Sequence, residues 1–592
     1  MSSPLEGVKL SLVQSIDDLM EMKRWAGERR DGPLCADTES SGLSPEKDTL
    51  RLIQLGDLNR GFAVPFAMWG GGAIELLNHY RGRLAFHNRP FDLRFMMIHA
   101  GFEPKWHLID DTLTMAHLDN PMRPRGLKHL ADRLVDPRAS AGEQVLHDGM
   151  KKQGWTWGTV PIDYAPYWIY GAADPVLTAH VHRVLSPRIS GCRQVYDLEQ
   201  AASRVAAYMM LKGMRVDVAY IHEKLKVIEE FSSGARQWLE QAHDIKSPMS
   251  GLQIAAALER QGQDITWHTE QGFPEMSKDT LAWYKANPAT PEVARICEYL
   301  LAVRHMEKMA GTYLENLLKL RDSHDVVHAS IWTLGARTGR MSITDPGLQT
   351  LPRDDLVVRG AFIPRPGYVF ISCDYDQIEM RLAAHFSQDP GLIQAFKAAD
   401  INGTDFFSEV AGEIFGQRIE KKDKRRQMVK NMNYARIYGA GLPKMAVTAG
   451  VTTEQLKPVY DRFNARFPGL QSMSDDIIAS ARQYRTERGR PGVMTPWGRF
   501  LPGESGKEYA LVNYKIQSHA SEILKASMIA LDADGFGNAM LLPVHDEIIF
   551  EVPEADAVPC ARRIQEIMEN RNDYSVPITC APKIMKERWT GK

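Results

Sequence analysis

The sequence predicts an α/β multidomain protein, and three observations carry the prediction. Two apolar strands, Leu34–Ala36 and Tyr368–Cys373, lie in opposite halves of the chain and run directly into acids. Between them, Tyr196–Asp244 and Val293–Leu320 carry helical periodicity. At 592 residues the chain is long enough for several hydrophobic cores.

Composition narrows the class. With 44% hydrophobic and 25% charged residues, this is the make-up of an ordinary soluble globular protein. Lys+Arg 72 against Asp+Glu 74 leaves a net charge of -2, so any nucleic-acid surface must be local. Arg418–Lys430, dense in Lys and Arg, is the candidate. Six scattered cysteines without a C-x-x-C pair argue against a zinc site or a disulfide framework and fit a reducing compartment. No apolar run is long enough for a bilayer, and Met1–Glu6 lacks the basic-then-apolar order of a secretory leader. The expectation is a cytoplasmic protein with no membrane partner.

The first strand, Leu34–Glu39, alternates so that Asp37 and Glu39 face the same side. Ser40–Gly42 makes a turn, and Thr49–Leu55 reads as the paired second strand. Leu84–Asn88 is a further strand, after which Phe91-Asp92 opens a helix. Asp174 lies four residues after Tyr170 in a helical segment, where Pro175 predicts a kink that Gly171 leaves room for. Each acid alone reads as a cap or a surface charge. Together, four carboxylates at strand ends and on helices suit a pair of divalent ions for phosphodiester hydrolysis. Trp155, Trp157 and Trp168 read as packing residues.

Farther on, Val293–Leu320 carries Arg304 and Lys308, which read equally as phosphate contacts or as a solvated face. Ala336–Arg353 is rich in loop residues with hydrogen-bonding side chains. Tyr368–Asp374 is a strand that projects one carboxylate from its end, followed by a helix. Lys424–Tyr438, read as a helix, sets Arg426, Lys430, Tyr434 and Tyr438 four residues apart on one stripe. Met428, Met432 and Ala435 fall on another stripe that can face a core, and Gly439 supplies the stop. Two cations followed by two aromatics suit a ligand with a polyphosphate at one end and a flat base at the other. Met540–Val552 reads as a β-hairpin with His545, Asp546 and Glu547 at its turn.

These motifs carry two family resemblances. Asp37-Thr-Glu39, Asn88 with Phe91-Asp92, and Tyr170 with Asp174 resemble, in order, the three motifs of DnaQ-like 3′→5′ proofreading exonucleases. That implies metal binding by Asp37, Glu39, Asp92 and Asp174, with Tyr170 positioning the attacking water. The stretch Arg425-Arg426…Lys430…Asn433-Tyr434…Tyr438-Gly439 resembles the fingers helix of family A DNA polymerases, the DNA polymerase I type. Thr338-Gly-Arg340 through Gln349 is similar to a family segment that contacts primer-template, which implies that role for Arg340 and Gln349. Asp374–Arg381 resembles the family's DYSQIELR motif, with Asp376 where Ser is usual. Val544–Glu547 resembles its VHDE motif.

The resemblance implies metal binding by Asp374 and Asp546, with His545 at the primer end. Glu379 would exclude a 2′-hydroxyl, which makes the substrate dNTP. Arg426 and Lys430 would hold the triphosphate, with Lys430 also the proton donor to pyrophosphate. Tyr434 would pack on sugar and base, and its hydroxyl implies weak discrimination against dideoxynucleotides. Tyr438 would guard the template base, while Asn513 and Gln517 reach the minor groove. Ser518 and Glu522 depart from the usual Gly and Asp, and Tyr509 stands where Arg is common.

The implied architecture is an RNase H-like exonuclease domain at 1–190, followed by a right-hand polymerase domain. Its parts are the thumb at 191–330, the palm at 331–400 and 501–592, and the fingers at 401–500. The implied cofactor is Mg2+, two ions per active site, with Mn2+ as the alternative. Primer-template DNA and dNTPs are the implied partners, and a helicase or processivity factor are further candidates. A chain beginning directly at the exonuclease motifs implies no 5′-nuclease domain and a phage-type replicase working in a bacterial host's cytoplasm. Two other readings stay open here: a nuclease on a DNA-binding scaffold, and a single-subunit RNA polymerase, against which Glu379 and the exonuclease motifs speak.

Overall fold

Six strands build the N-terminal sheet: β1 (Lys9–Leu12), β2 (Leu34–Ser40), β3 (Leu50–Gly56), β4 (Arg60–Pro65), β5 (Leu84–Phe86) and β6 (Ile109–Asp111). Their order is β1-β4-β3-β2-β5-β6, with β2, β3 and β4 antiparallel. β5 runs parallel to β2 and to β6, and β1 runs parallel to β4. This computed structural model describes residues 7–28, 32–351, 356–570 and 573–590; Met1–Glu6 and Arg353 lie outside the described residues.

The helix Ala165–Arg188 packs on this sheet so closely that a Cβ at Gly61 would lie 2.0 Å from the Ala172 carbonyl oxygen. Pro175 does not end it, and Asp174 keeps helical geometry one turn after Tyr170. The proline ring is seated over Gly56, where an added Cβ would come within 3.1 Å of it. Gly56 thus leaves the ring room against the sheet beneath.

Helices Arg193–Lys212 and Val218–His243 follow, the latter capped by Asp217, which accepts from Tyr220 N–H. Pro291–Lys308 continues through a π turn, Met309–Leu314, into Glu315–Leu320. Arg304 donates to the carbonyls of Pro248 and Met276 at 2.8 and 2.5 Å. It braces the loops beside its own helix and forms neither a solvated face nor an open phosphate contact.

The second main sheet is antiparallel. It places Tyr368–Tyr375 between Glu547–Pro553 and Cys580–Met585, with Met540–Val544 beyond Glu547–Pro553. The helix Ala510–Leu531 is buried around most of its circumference. The N-terminal unit reaches this half through His117 and Arg125, whose side chains bond the carbonyls of Ala336 and Leu334 at 3.0 and 3.1 Å. No helix among the described residues is long and apolar enough to cross a membrane.

One buried charge network ties the helix Arg193–Lys212 to the C-terminal part of the chain. Arg499 pairs with Glu199 and, at 3.0 Å, with Glu522; Lys525 pairs with Glu199 at 2.7 Å. His519 adds a 3.2 Å contact to the other Glu522 oxygen. The glutamate at 522, where aspartate is usual, therefore serves Arg499 and His519 at once. Removing one partner of such a network strands buried charge, at about 3–5 kcal/mol. Arg499→Met should accordingly lower the urea midpoint of the tryptophan-fluorescence transition by that equivalent. An unchanged midpoint would show that the network contributes nothing net.

Candidate active sites

The first site grows from strand alternation. Asp37 and Glu39 leave β2 on one side, and the helix over the sheet brings Asp174 to them. A carboxylate oxygen from each lies within 4.8 Å of the others. Asp92 enters on the helix Arg89–Ala100, accepts from the Thr38 hydroxyl at 2.7 Å and shares a hydrogen bond with Asp37. Burial pushes the Asp37 carboxyl up, as it does those of Glu39 and Asp92, on both of which the Asp37 charge adds to the effect. Burial and then the Glu39 charge raise the Tyr170 hydroxyl. Trp157 packs near Tyr170, their ring centroids 6.0 Å apart, as expected of a packing residue.

All the acids offer hard oxygen donors, a set that suits Mg2+ or Mn2+. Gln54 sits directly across from Asp37 in the sheet. It is fully buried, and neither amide atom has a hydrogen-bond partner among the described residues. Crowded carboxylates held above their ordinary range, beside an unsatisfied amide, form a site that divalent cations would complete.

The second site lies where a strand end meets a hairpin turn. Asp374 pairs across the sheet with Glu547, the first residue after the turn that holds His545 and Asp546. Tyr375 N–H donates to the Asp546 carbonyl at 3.2 Å, which makes Asp374 and Asp546 neighbours. His545 takes φ 55°, the left-handed backbone on which this tight turn closes. Glu547 turns its carboxylate to the buried Ser372 hydroxyl.

Glu379 stands in the first turn of the next helix, Ile378–Ser387, and is buried. It forms an ion pair with Arg340, and the Tyr438 hydroxyl donates to its other oxygen at 3.5 Å. Burial raises the Glu379 carboxyl, Arg340 draws it back, and the nearby Asp546 charge raises it again. Arg340 is held in place from behind. The Gly339 carbonyl accepts from Lys525 at 2.6 Å and from Ser521 at 2.9 Å. A Cβ at Gly339 would lie 2.9 Å from the Arg499 guanidinium.

The helix Lys424–Ile437 is capped by Asp423 and buries Val429, Met432 and Ala435. Its expected ligand stripe divides. Arg426 is buried in a two-pronged pair with Asp405, at 2.8 and 2.7 Å. Asp405 in turn lines a cavity of about 1040 Å³ with Asp376, Gln377, Arg381 and Lys421. Lys430 is half-buried one turn on, and Tyr434 sits 5.8 Å from Phe407, centroid to centroid. Tyr438 is exposed except for its hydroxyl contact. Gly439 has φ 73°, and a Cβ there would lie 2.4 Å from Tyr509, which packs against the helix end.

Gln349 donates to the Met341 carbonyl at 3.0 Å. Asn513 and Gln517 lie one turn apart on Ala510–Leu531, and Asn513 Oδ1 is buried with no partner among the described residues. Asp376, where serine is usual, is exposed beside Arg381 and Asp400; lost solvation raises its carboxyl, Arg381 lowers it and the Asp400 charge raises it again. Sequence reasoning passed over Lys128, Asp405, Glu199 and Arg499. Each is an ordinary surface-type residue in its own stretch, and only tertiary contact gives it a partner.

The model for DNA polymerase family A matches residues 220–590. The DNA polymerase of Mycobacterium phage D29 is 29% identical over 580 residues, which cover 94% of this chain and 93% of that protein. That of Mycobacterium phage L5 is 28% identical over 579 residues, covering 94% and 92%. DNA polymerase I of Chloroflexus aurantiacus is 28% identical over 519 residues, covering 83% of this chain and 53% of that protein. Among solved structures, the POL domain of Pol1 from M. smegmatis, in complex with DNA primer-template and dNTP, shares the fold. Its TM-score is 0.79 at 23% identity, covering 98% of this chain and 99% of that one.

Proposed function

The chain belongs to DNA polymerase family A, and on that premise we propose that it adds dNTPs to a primer 3′ end under template direction and proofreads with a 3′→5′ exonuclease. The observation that carries the polymerase reading is the Tyr375–Asp546 backbone bond, which brings the chain at Asp374 and at Asp546 together at a rigid sheet end. The Asp37–Glu39–Asp174 cluster carries the exonuclease reading. We assign 1–190 to the RNase H-like exonuclease, 191–330 to the thumb, 331–400 and 501–592 to the palm, and 401–500 to the fingers. Similarity to phage DNA polymerases over nearly all of both chains supports a role in DNA replication.

Divalent ions held by Asp374 and Asp546, and by Asp37, Glu39, Asp92 and Asp174, would activate the attacking oxygen and neutralise developing phosphate charge. The chain's own residues do the rest. Arg426 exchanges Asp405 for the incoming triphosphate, and Lys430 donates the proton that pyrophosphate takes as it leaves. Tyr434 supports sugar and base, while Tyr438 and His545 border the templating base and the primer end. Arg340, Gln349, Asn513 and Gln517 hold the duplex. Tyr170 orients the hydrolytic water at the other site.

Glu379 fills the space beside the sugar, and its ion pair with Arg340 keeps it there. Single-nucleotide incorporation opposite each of four template bases tests the reading. The complementary dNTP should be added and the matching rNTP rejected, whereas Glu379→Ala should raise rNTP use about tenfold or more relative to dNTP, a change of roughly 1.4 kcal/mol. Efficient rNTP addition by the unaltered chain would instead support an RNA polymerase.

A further inference from the structure

We propose that Lys128 is a phosphate-binding residue of the exonuclease site, held on Asp174 until divalent ions load and then released to the DNA phosphate at the 3′ end. The inference rests on the exonuclease reading and deepens it. Lys128 lies in the helix Leu127–Leu134, outside every motif of the site, yet its ammonium contacts Asp174 directly. It also stands 4.1 Å from the centroid of the Tyr170 ring, between the residue expected to orient water and the carboxylate cluster. Its side chain is only 14% exposed, so the charge is committed to this site and not to solvent.

Charge balance assigns the role. Four carboxylates, Asp37, Glu39, Asp92 and Asp174, match two divalent ions. That leaves the lysine's positive charge without a counterpart among these four once the ions are in place, with only the more distant Glu143 and Asp132 acting on it. A phosphodiester brings the single negative charge that restores neutrality, and a lysine on a flexible stem can turn to it without moving its helix. In the hydrolysis, a water oxygen bonds to phosphorus and the bond to the upstream 3′-oxygen breaks. That oxygen takes up a proton, and the terminal nucleotide leaves as its 5′-monophosphate. Lys128 would hold a non-bridging oxygen of that phosphate throughout.

The test uses the full chain carrying Asp374→Ala and Asp546→Ala, so that only the exonuclease carboxylates remain to bind metal. Mn2+ titration followed by electron paramagnetic resonance should show severalfold tighter binding after Lys128→Met, because a competing cation is gone. At saturating Mn2+ the same variant should degrade a labelled single strand about tenfold or more slowly, with KM for DNA raised, and Lys128→Arg should restore part of both. Unchanged degradation at saturating metal would overturn the phosphate role. Weaker Mn2+ binding would overturn the competition and make the lysine an organiser of the fold; should the Met variant not fold, the Arg variant's Mn2+ affinity and KM decide the same question. Absence of shortening by the chain with an intact Lys128 is a different result, and it would remove the exonuclease reading itself.

Discussion

Asp374→Ala should slow template-directed primer extension by about a thousandfold or more, the loss of roughly 4 kcal/mol of transition-state stabilisation. The side chain projects from a strand paired on both sides, so its position does not depend on the charge it carries. Removing it takes away one of two neighbouring acids without disturbing the sheet, and the Tyr375–Asp546 backbone bond remains. Asp546→Ala should produce the same loss from the hairpin side. Pre-steady-state incorporation of one dNTP measures both, and the thermal midpoint serves as control. Extension by either variant at near the original rate would leave the polymerase half as a scaffold that grips DNA.

Asp37→Ala should abolish 3′-end shortening to a comparable degree while extension continues at the original rate. Asp37 contributes to the three-carboxylate cluster and also accepts the Asp92 contact, so its loss breaks the site at its centre. The carboxylates assigned to the two reactions are gathered at separate sheets, and that separation predicts the independence. Shortening is measured on a mismatched primer without nucleotides. Loss of extension as well as shortening would mean that the two sheets do not house two activities.

The acids of both sites were legible because strand alternation and hairpin turns are local. Asp37 and Glu39 share a face by the two-residue period of a strand, and His545-Asp546 sits at a turn between two apolar runs. The helix at Lys424 was legible for the same reason, down to its stop at Gly439. The partners of these groups were not. Asp405 meets Arg426 only through the packing of two helices. Lys128 reaches Asp174 from a helix that carries no motif. Glu199 looks like a surface charge in its own sequence and is wholly buried against Arg499 and Lys525. The helix runs on through Pro175, and the room its ring takes comes from Gly56, a residue on a distant strand that no local pattern reveals. Local periodicity places side chains on faces; which charges those faces meet is decided by tertiary packing.

The most direct measurement places the full chain with a labelled primer-template and Mg2+, in one sample with all four dNTPs and in another with none. Two activities in one chain predict template-dependent elongation in the first and stepwise 3′ shortening in the second. Shortening in both, with no elongation even after Asp37→Ala, would contradict the polymerase assignment and leave a nuclease alone.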